Sequence, residues 1–290
     1  MSVIWELDFY SRPVLDENNR KRWEVLICES PTSVDVPIES LFRYSKFCNN
    51  TEVNSVWLRE AIEEAIAQAS VTPDRIRFFR RQMNNMIVKG CEDAGITASA
   101  SRRTPALSQW IESRMQDVYP SMPNYQASNN PSVAYPLNVP QPLPDALEGE
   151  KWTFVSLPAS DLVEMTEWEI GFGEAFPLEF LNVSSDQAIP GLLIFSSRAE
   201  PLAAWMSGLE LAFVQAMGAE GKAPPRLILE TGVSDAWTLA NLSTTALAQE
   251  GQQFEMAKKN AQGGHFLAIQ SSPESESFAG FWLMKELHLA

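Results

Sequence analysis

The sequence predicts an α/β protein of two mixed-sheet domains, residues 1–118 and 151–290, joined by a proline-rich linker over 119–150. Three observations lead there. The chain has 290 residues and 45% hydrophobic composition, long for one core and apolar enough to bury two. In both halves, short strand-like runs alternate with helical periodicity, the pattern of sheets with helices on their faces. The seam "YPSMPNYQASNNPSVAYPLNVPQPLPDALEGE" holds seven of the 19 prolines in 32 residues, and fixed φ with missing donors disfavours both helix and ladder there. Tyr119, Tyr125 and Tyr135 are placed to dock the seam against a domain.

In the first domain, "VIWELDFYSRP" and "WEVLICES" flank the turn-rich "DENNRKR" and predict a β-hairpin. "SLFRYSKFC" is a third strand. "NSVWLREAIEEAIAQAS" is an amphipathic helix with Leu58, Ile62, Ala65, Ile66 and Ala69 on one face and Asn54 as N-cap. "DRIRFFR" follows Pro73 as a short strand, "MNNMIVKGCEDAG" is a helix closing at a glycine, and "ITASAS" is a fifth strand. "TPALSQWIESRMQD" is a helix with Pro105 in its first turn.

In the second domain, "KWTFVSL", "WEIGFGEAF" and "GLLIFSSR" read as strands. "EPLAAWMSGLELAFVQAMG" reads as one long helix, with Leu202, Trp205, Met206, Leu209, Phe213 and Met217 on a stripe. "PRLILETG" and "HFLAIQS" are strands around the helix "TTALAQEGQQFEMAKKNAQ", and "SFAGFWLMKEL" is a closing helix. Both halves therefore read β-β-β-α-β-α-β-α, an order similar to the ribonuclease-H-like topology.

The net charge of −15 is unevenly spread. Residues 1–125 carry 15 basic and 17 acidic groups, whereas 126–290 carry 7 and 20. Screening over about 8 Å at physiological salt lets a basic patch on the first domain attract phosphate despite the acidic second one.

Several function classes find no support. No run of about 18 apolar residues is present to span a membrane. "MSVIWELDFY" is neither a secretory signal nor a transit peptide. Cys28, Cys48 and Cys91 lack metal spacing and fit a reducing cytoplasm, and no motif for a metal or cofactor occurs. With only His265 and His288, the serine cluster "QSSPESESF" reads as a turn at Pro273 with Ser275 or Ser277 capping the last helix, not a hydrolase triad.

A ribonuclease-H-like order raises the alternative of a divergent metal-dependent nuclease, which needs converging carboxylates. Asp8, Glu60, Glu63 and Glu64 are offered in the first half and Glu230 in the second; neither set is complete. Asp8 pairs more naturally with an arginine such as Arg12.

The segment "RIRFFRRQ" at 75–82 carries four arginines. As a strand it places Arg75, Arg77, Phe79 and Arg81 on one face, with Ile76, Phe78 and Arg80 on the other. Guanidiniums bind phosphate, and rings stack on unpaired bases. Arg102 and Arg103 join this candidate site if their strand is adjacent. The competing reading pairs these arginines with Glu60, Glu63, Glu64 or acidic groups of the second domain.

"IWELDFYSRPVLDENNRKRWEVLICES", "RFFRRQMNNMI" and "HFLAIQSSPESESFAGFWLMKEL" resemble the plastid and cyanobacterial family called Tab-two and Atab-two. The resemblance covers both domains. It implies a non-enzymatic factor that binds single-stranded A/U-rich RNA and supports translation and biogenesis of photosystem subunits. A start at the first matching segment suggests a cyanobacterial-type member. The family supplies no map of RNA contacts, so the expected site is Arg75, Arg77, Phe79, Arg80 and Arg81 with Arg102 and Arg103. The alternative is a protein-interaction factor in photosystem assembly, its acidic domain meeting a basic partner. "FAGFWLMKEL" likewise admits core packing or an exposed aromatic edge.

Overall fold

The computed structural model describes residues 3–127, 138–144, 147, 149–218 and 224–287. Tyr135 and His288 lie outside the described residues. The chain forms two compact units, and the loop 32–38 groups with the second although residues on either side belong to the first.

Unit one starts with the expected hairpin, β1 Ile4–Leu15 and β2 Lys21–Glu29. Its turn is held by the Asp16 carboxylate, which accepts from the Asn18 and Arg20 amides, while Asn19 takes the left-handed conformation that asparagine tolerates. β3 Arg43–Cys48 follows, then α1 Ser55–Ala69, where the Asn54 side chain caps by accepting from Trp57 N. β4 Arg75–Phe78, α2 Asn84–Asp93, β5 Thr97–Ala100 and α3 Pro105–Ser113 complete the unit. Gly95, at φ +77°, ends the α2 region as a left-handed stop.

The sheet order is β3-β2-β1-β4-β5, with β1 antiparallel to β2 and parallel to β4. Register separates its two faces. Trp5, Leu7, Phe9, Val25, Ile27, Ile76 and Phe78 meet α1 and α2 in one apolar core. The opposite face carries Glu6, Asp8, Arg12 and Glu24, and α3 packs over β1 and β2 there. Past the sheet, Tyr119 is buried and Tyr125 bridges to Val14, so the start of the proline-rich segment does dock.

Unit two contains two sheets. One runs β7-β9-β13-β14-β8, built from Lys151–Pro158, Ala188–Phe195, Gly264–Gln270, Phe278–Lys285 and Ile170–Glu174. The other runs β10-β11-β12-β6, built from Leu211–Met217, Arg226–Thr231, Asp235–Asn241 and Gln141–Pro142. Besides the short α4 Ala159–Leu162, α5 Ala199–Ser207 and α6 Thr245–Asn260 contribute to one core with both sheets.

Two expectations are overturned in this unit, and the element order read from the sequence does not hold for it. The long helix expected over 200–218 is α5 followed by strand β10. Leu202 and Met206 keep the helical stripe, but helix ends at Gly208, and the backbone of 211–217 is taken up by antiparallel pairing to β11. The closing helix is strand β14, lying between β13 and β8. Phe278, Phe281 and Trp282 fit a helical face, but a central strand buried on both sides also reads as a continuous apolar run. Ser275 and Ser277 therefore cap no helix; Ser275 Oγ donates to Ser277 O within the turn. β12, outside the expected elements, pairs antiparallel with β11.

Candidate nucleic-acid interface

The polar face of the first sheet is a buried ionic network. Glu6 on β1 accepts from Ser30 Oγ at 2.7 Å and from the Leu107 amide at 2.7 Å, placing a carboxylate at the N-terminus of α3. Two positions on, Asp8 accepts from Arg12 at 2.9 Å and from both Nε and Nη2 of Arg80. Glu24, on β2 across from Tyr10, holds Arg12 at 3.3 Å, Arg114 and the Tyr119 hydroxyl. Burial alone would push the Asp8 carboxyl up; the Arg80 and Arg12 charges outweigh it and hold it below its ordinary value. For Arg12, burial opposes the charge, and Asp8, Tyr119 and Glu24 together keep it more strongly protonated than usual.

The expected site divides under this geometry. β4 ends at Phe78, so the alternation that would put Arg75, Arg77, Phe79 and Arg81 on one open face does not continue. Arg77 and Arg80 are each 2% exposed, Phe79 1%, and Arg102 and Arg103 each 6%. Arg80 lies over the Tyr10 ring at 3.9 Å besides its bonds to Asp8. Only Arg75, half-buried, and Arg81, exposed, reach solvent. The physical reason is pairing: a guanidinium enters a protein interior when carboxylates and rings meet it there. Asp8 and Tyr10, which meet Arg80, are on unit one's own β1.

The carboxylates proposed for metal chemistry do not converge. Asp8 is enclosed by guanidiniums. Glu64 binds Lys46 and the Tyr44 hydroxyl, while Glu60 and Glu63 neighbour Arg59. Glu230 is buried within β11, accepting from Gln215. Among the described residues no group of three or more His, Cys, Asp or Glu side chains is placed to hold a metal. His265 meets backbone instead of a serine: Val214 N donates to Nε2 at 2.8 Å, and Nδ1 lies 2.9 Å from Gly263 O. Phe281 and Trp282 are core residues, and Phe278 is half-buried against Trp168 and Phe281.

A different set of open arginines carries no local signal in the sequence. Arg22 stands 4.4 Å over the Phe47 ring, and Arg43 lies 5.8 Å from Trp110. The arginines lie on β2 and β3 and their rings on β3 and α3, so no local run marks them.

These features describe a mixed α/β chain whose basic groups are concentrated in its first unit. Residues 4–114 match the family model described as "RNA-binding protein Tab2/Atab2 N terminal", and residues 130–285 match "RNA-binding protein Tab2/Atab2, C-terminal domain". The class is thus that of two-domain RNA-binding proteins, and the chain belongs to the Tab2/Atab2 family. Among similar proteins, "Protein TAB2 homolog, chloroplastic" of Zea mays is 40% identical over 290 residues, covering 98% of this chain and 71% of the relative. The protein of the same description from Arabidopsis thaliana is 37% identical, with 98% and 74% covered.

Proposed function

We propose that this chain is a non-catalytic factor that binds single-stranded A/U-rich RNA and promotes translation or biogenesis of photosystem subunits. The observation that carries the reading is the match of both halves to domains of one RNA-binding family. The charge distribution supports it, since 15 of the 22 basic residues lie in the first 125. Within the expected site, Arg75 and Arg81 are the members open enough to touch a phosphate, and Arg77, Phe79, Arg80, Arg102 and Arg103 act as the frame behind them. A non-catalytic role is favoured by the arginine-locked state of Asp8. Three buried free thiols suit the reducing compartment proposed for it, the cytoplasm.

Filter binding with U-rich and G/C-rich oligomers tests the reading. Tighter binding of the U-rich oligomer, weakening with salt, is expected. Equal weak affinity for both, or no salt dependence, removes it. Labelled RNA incubated with Mg²⁺ or Mn²⁺ should remain intact. The acidic second half, with 20 acidic against 7 basic groups, favours a second reading in which it docks a basic partner protein.

A further inference from the structure

The polar face of the first sheet changes character from its centre to its edge. On β1 and β4 it is closed: Glu6, Asp8, Arg12 and Arg77 are all buried. Register carries the same face across β2 to β3 through the pairs Glu24–Phe47 and Cys28–Arg43. On β3, the edge strand, it opens. Arg43 and Ser45 are exposed and Phe47 is half-buried, with Arg22 of β2 beside it.

The arginines differ in the same direction. Inside, Arg12, Arg80 and Arg114 are ion-paired with Asp8 and Glu24. At the edge, Arg22 and Arg43 form no ion pair among the described residues. They lie against rings instead, Arg22 over Phe47 at 4.4 Å and Arg43 at 5.8 Å from Trp110. Trp110 is half-buried on α3 and has Arg114 on it at 5.6 Å as well. The face's carboxylates Asp8 and Glu24 are already engaged by the inner arginines Arg12, Arg80 and Arg114.

A strip of unpaired guanidiniums interleaved with rings is complementary to a ligand that offers both anions and flat faces. Duplex bases are stacked on one another and cannot offer those faces; an unpaired strand can. Outward residues recur about every 6.8 Å along a strand, so Arg43 to Phe47 spans about 14 Å, room for two or three splayed bases. Resting on the reading that the chain binds single-stranded RNA, we propose that Arg22, Arg43, Phe47 and Trp110 form the surface on which its bases stack. Arg22 and Arg43 hold phosphates, and Phe47 and Trp110 provide the rings.

The test uses the full chain and a fluorescein-labelled U-rich oligomer, read by anisotropy at several salt concentrations. The double variant Arg22→Ala/Arg43→Ala is expected to lose affinity roughly tenfold or more, with the log–log salt slope shallower by about 1.4 for two lost phosphate contacts. Phe47→Leu should weaken binding roughly tenfold with little change of slope, since it removes stacking and no charge. Lys89→Ala, an exposed change on α2, should bind as the parent does. Both edge arginines are at least partly open, so the double variant should keep the parent's melting curve. If the parent binds and the double variant binds equally, the strip is refuted while the RNA reading stands. Loss confined to Arg75→Ala/Arg81→Ala has the same meaning. A parent chain with no affinity for any RNA overturns the RNA reading and the strip together.

Discussion

Arg80 grips Asp8 with two donors, Nε to Oδ1 and Nη2 to Oδ2 at 3.2 Å, joining the turn after β4 to the middle of β1. Both side chains are shut off from water. Asp8→Asn would leave Arg12 and Arg80 facing a neutral amide, and breaking such a buried arrangement costs about 3–5 kcal/mol. Urea unfolding should show that loss. A change below about 1 kcal/mol would mean that the guanidiniums find solvent or another acceptor.

The same carboxylate sets an acid dependence. Its folded pKa lies below the ordinary value, so its contribution is complete above the unfolded pKa of about 3.9 and fades as pH falls through the folded value. Stability of the parent should fall below about pH 4 more steeply than that of Asp8→Asn. Parallel curves for the two proteins would contradict this assignment.

The three thiols should be silent in the native state. Burial, with Glu92 adding, pushes Cys91 up to about 12; burial, with Glu52 adding, does the same to Cys48. Burial and then Glu6 raise Cys28 well above its ordinary value. A disulfide reagent at pH 8 should react only as fast as the protein opens, and all three thiols should appear at once in guanidinium chloride. Immediate reaction of one equivalent in the native protein would be incompatible with these surroundings.

Gly191 lies opposite Phe266 across β9 and β13, and a Cβ there would sit 2.2 Å from the ring. Gly191→Ala is therefore expected to destabilise by about 1–3 kcal/mol, measured by denaturant unfolding, because ring and strand are fixed on both sides. A neutral effect would show that Phe266 has somewhere to turn.

Unit one was readable where short-range chemistry decides the outcome. Asn54 caps α1, Asp16 and Asn19 make the hairpin turn, and Gly95 stops α2, each by a contact within a few residues. Unit two hid its order because its apolar runs suit either period: Leu202 and Met206 sit on a helix, while Leu211 and Phe213 a few residues on sit on a strand. The arginines of 75–82 were visible as a run, but whether a guanidinium faces inward depends on carboxylates such as Asp8, brought beside Arg80 only by the pairing of β1 and β4. Arg22 with Phe47 is the reverse case: a pair separated in the chain and joined by the pairing of β2 with β3.

The passage from β2 to β3 lends seven residues, 32–38, to the other unit, where Thr32 O accepts from the Ala175 amide at 3.1 Å. No single scission of the polypeptide separates the halves cleanly. Cutting at the proline-rich seam leaves an amino-terminal fragment with a stranded loop and a carboxy-terminal fragment short of a hydrogen-bond acceptor. A boundary drawn to express either half alone must therefore account for this loop as well as for the seam.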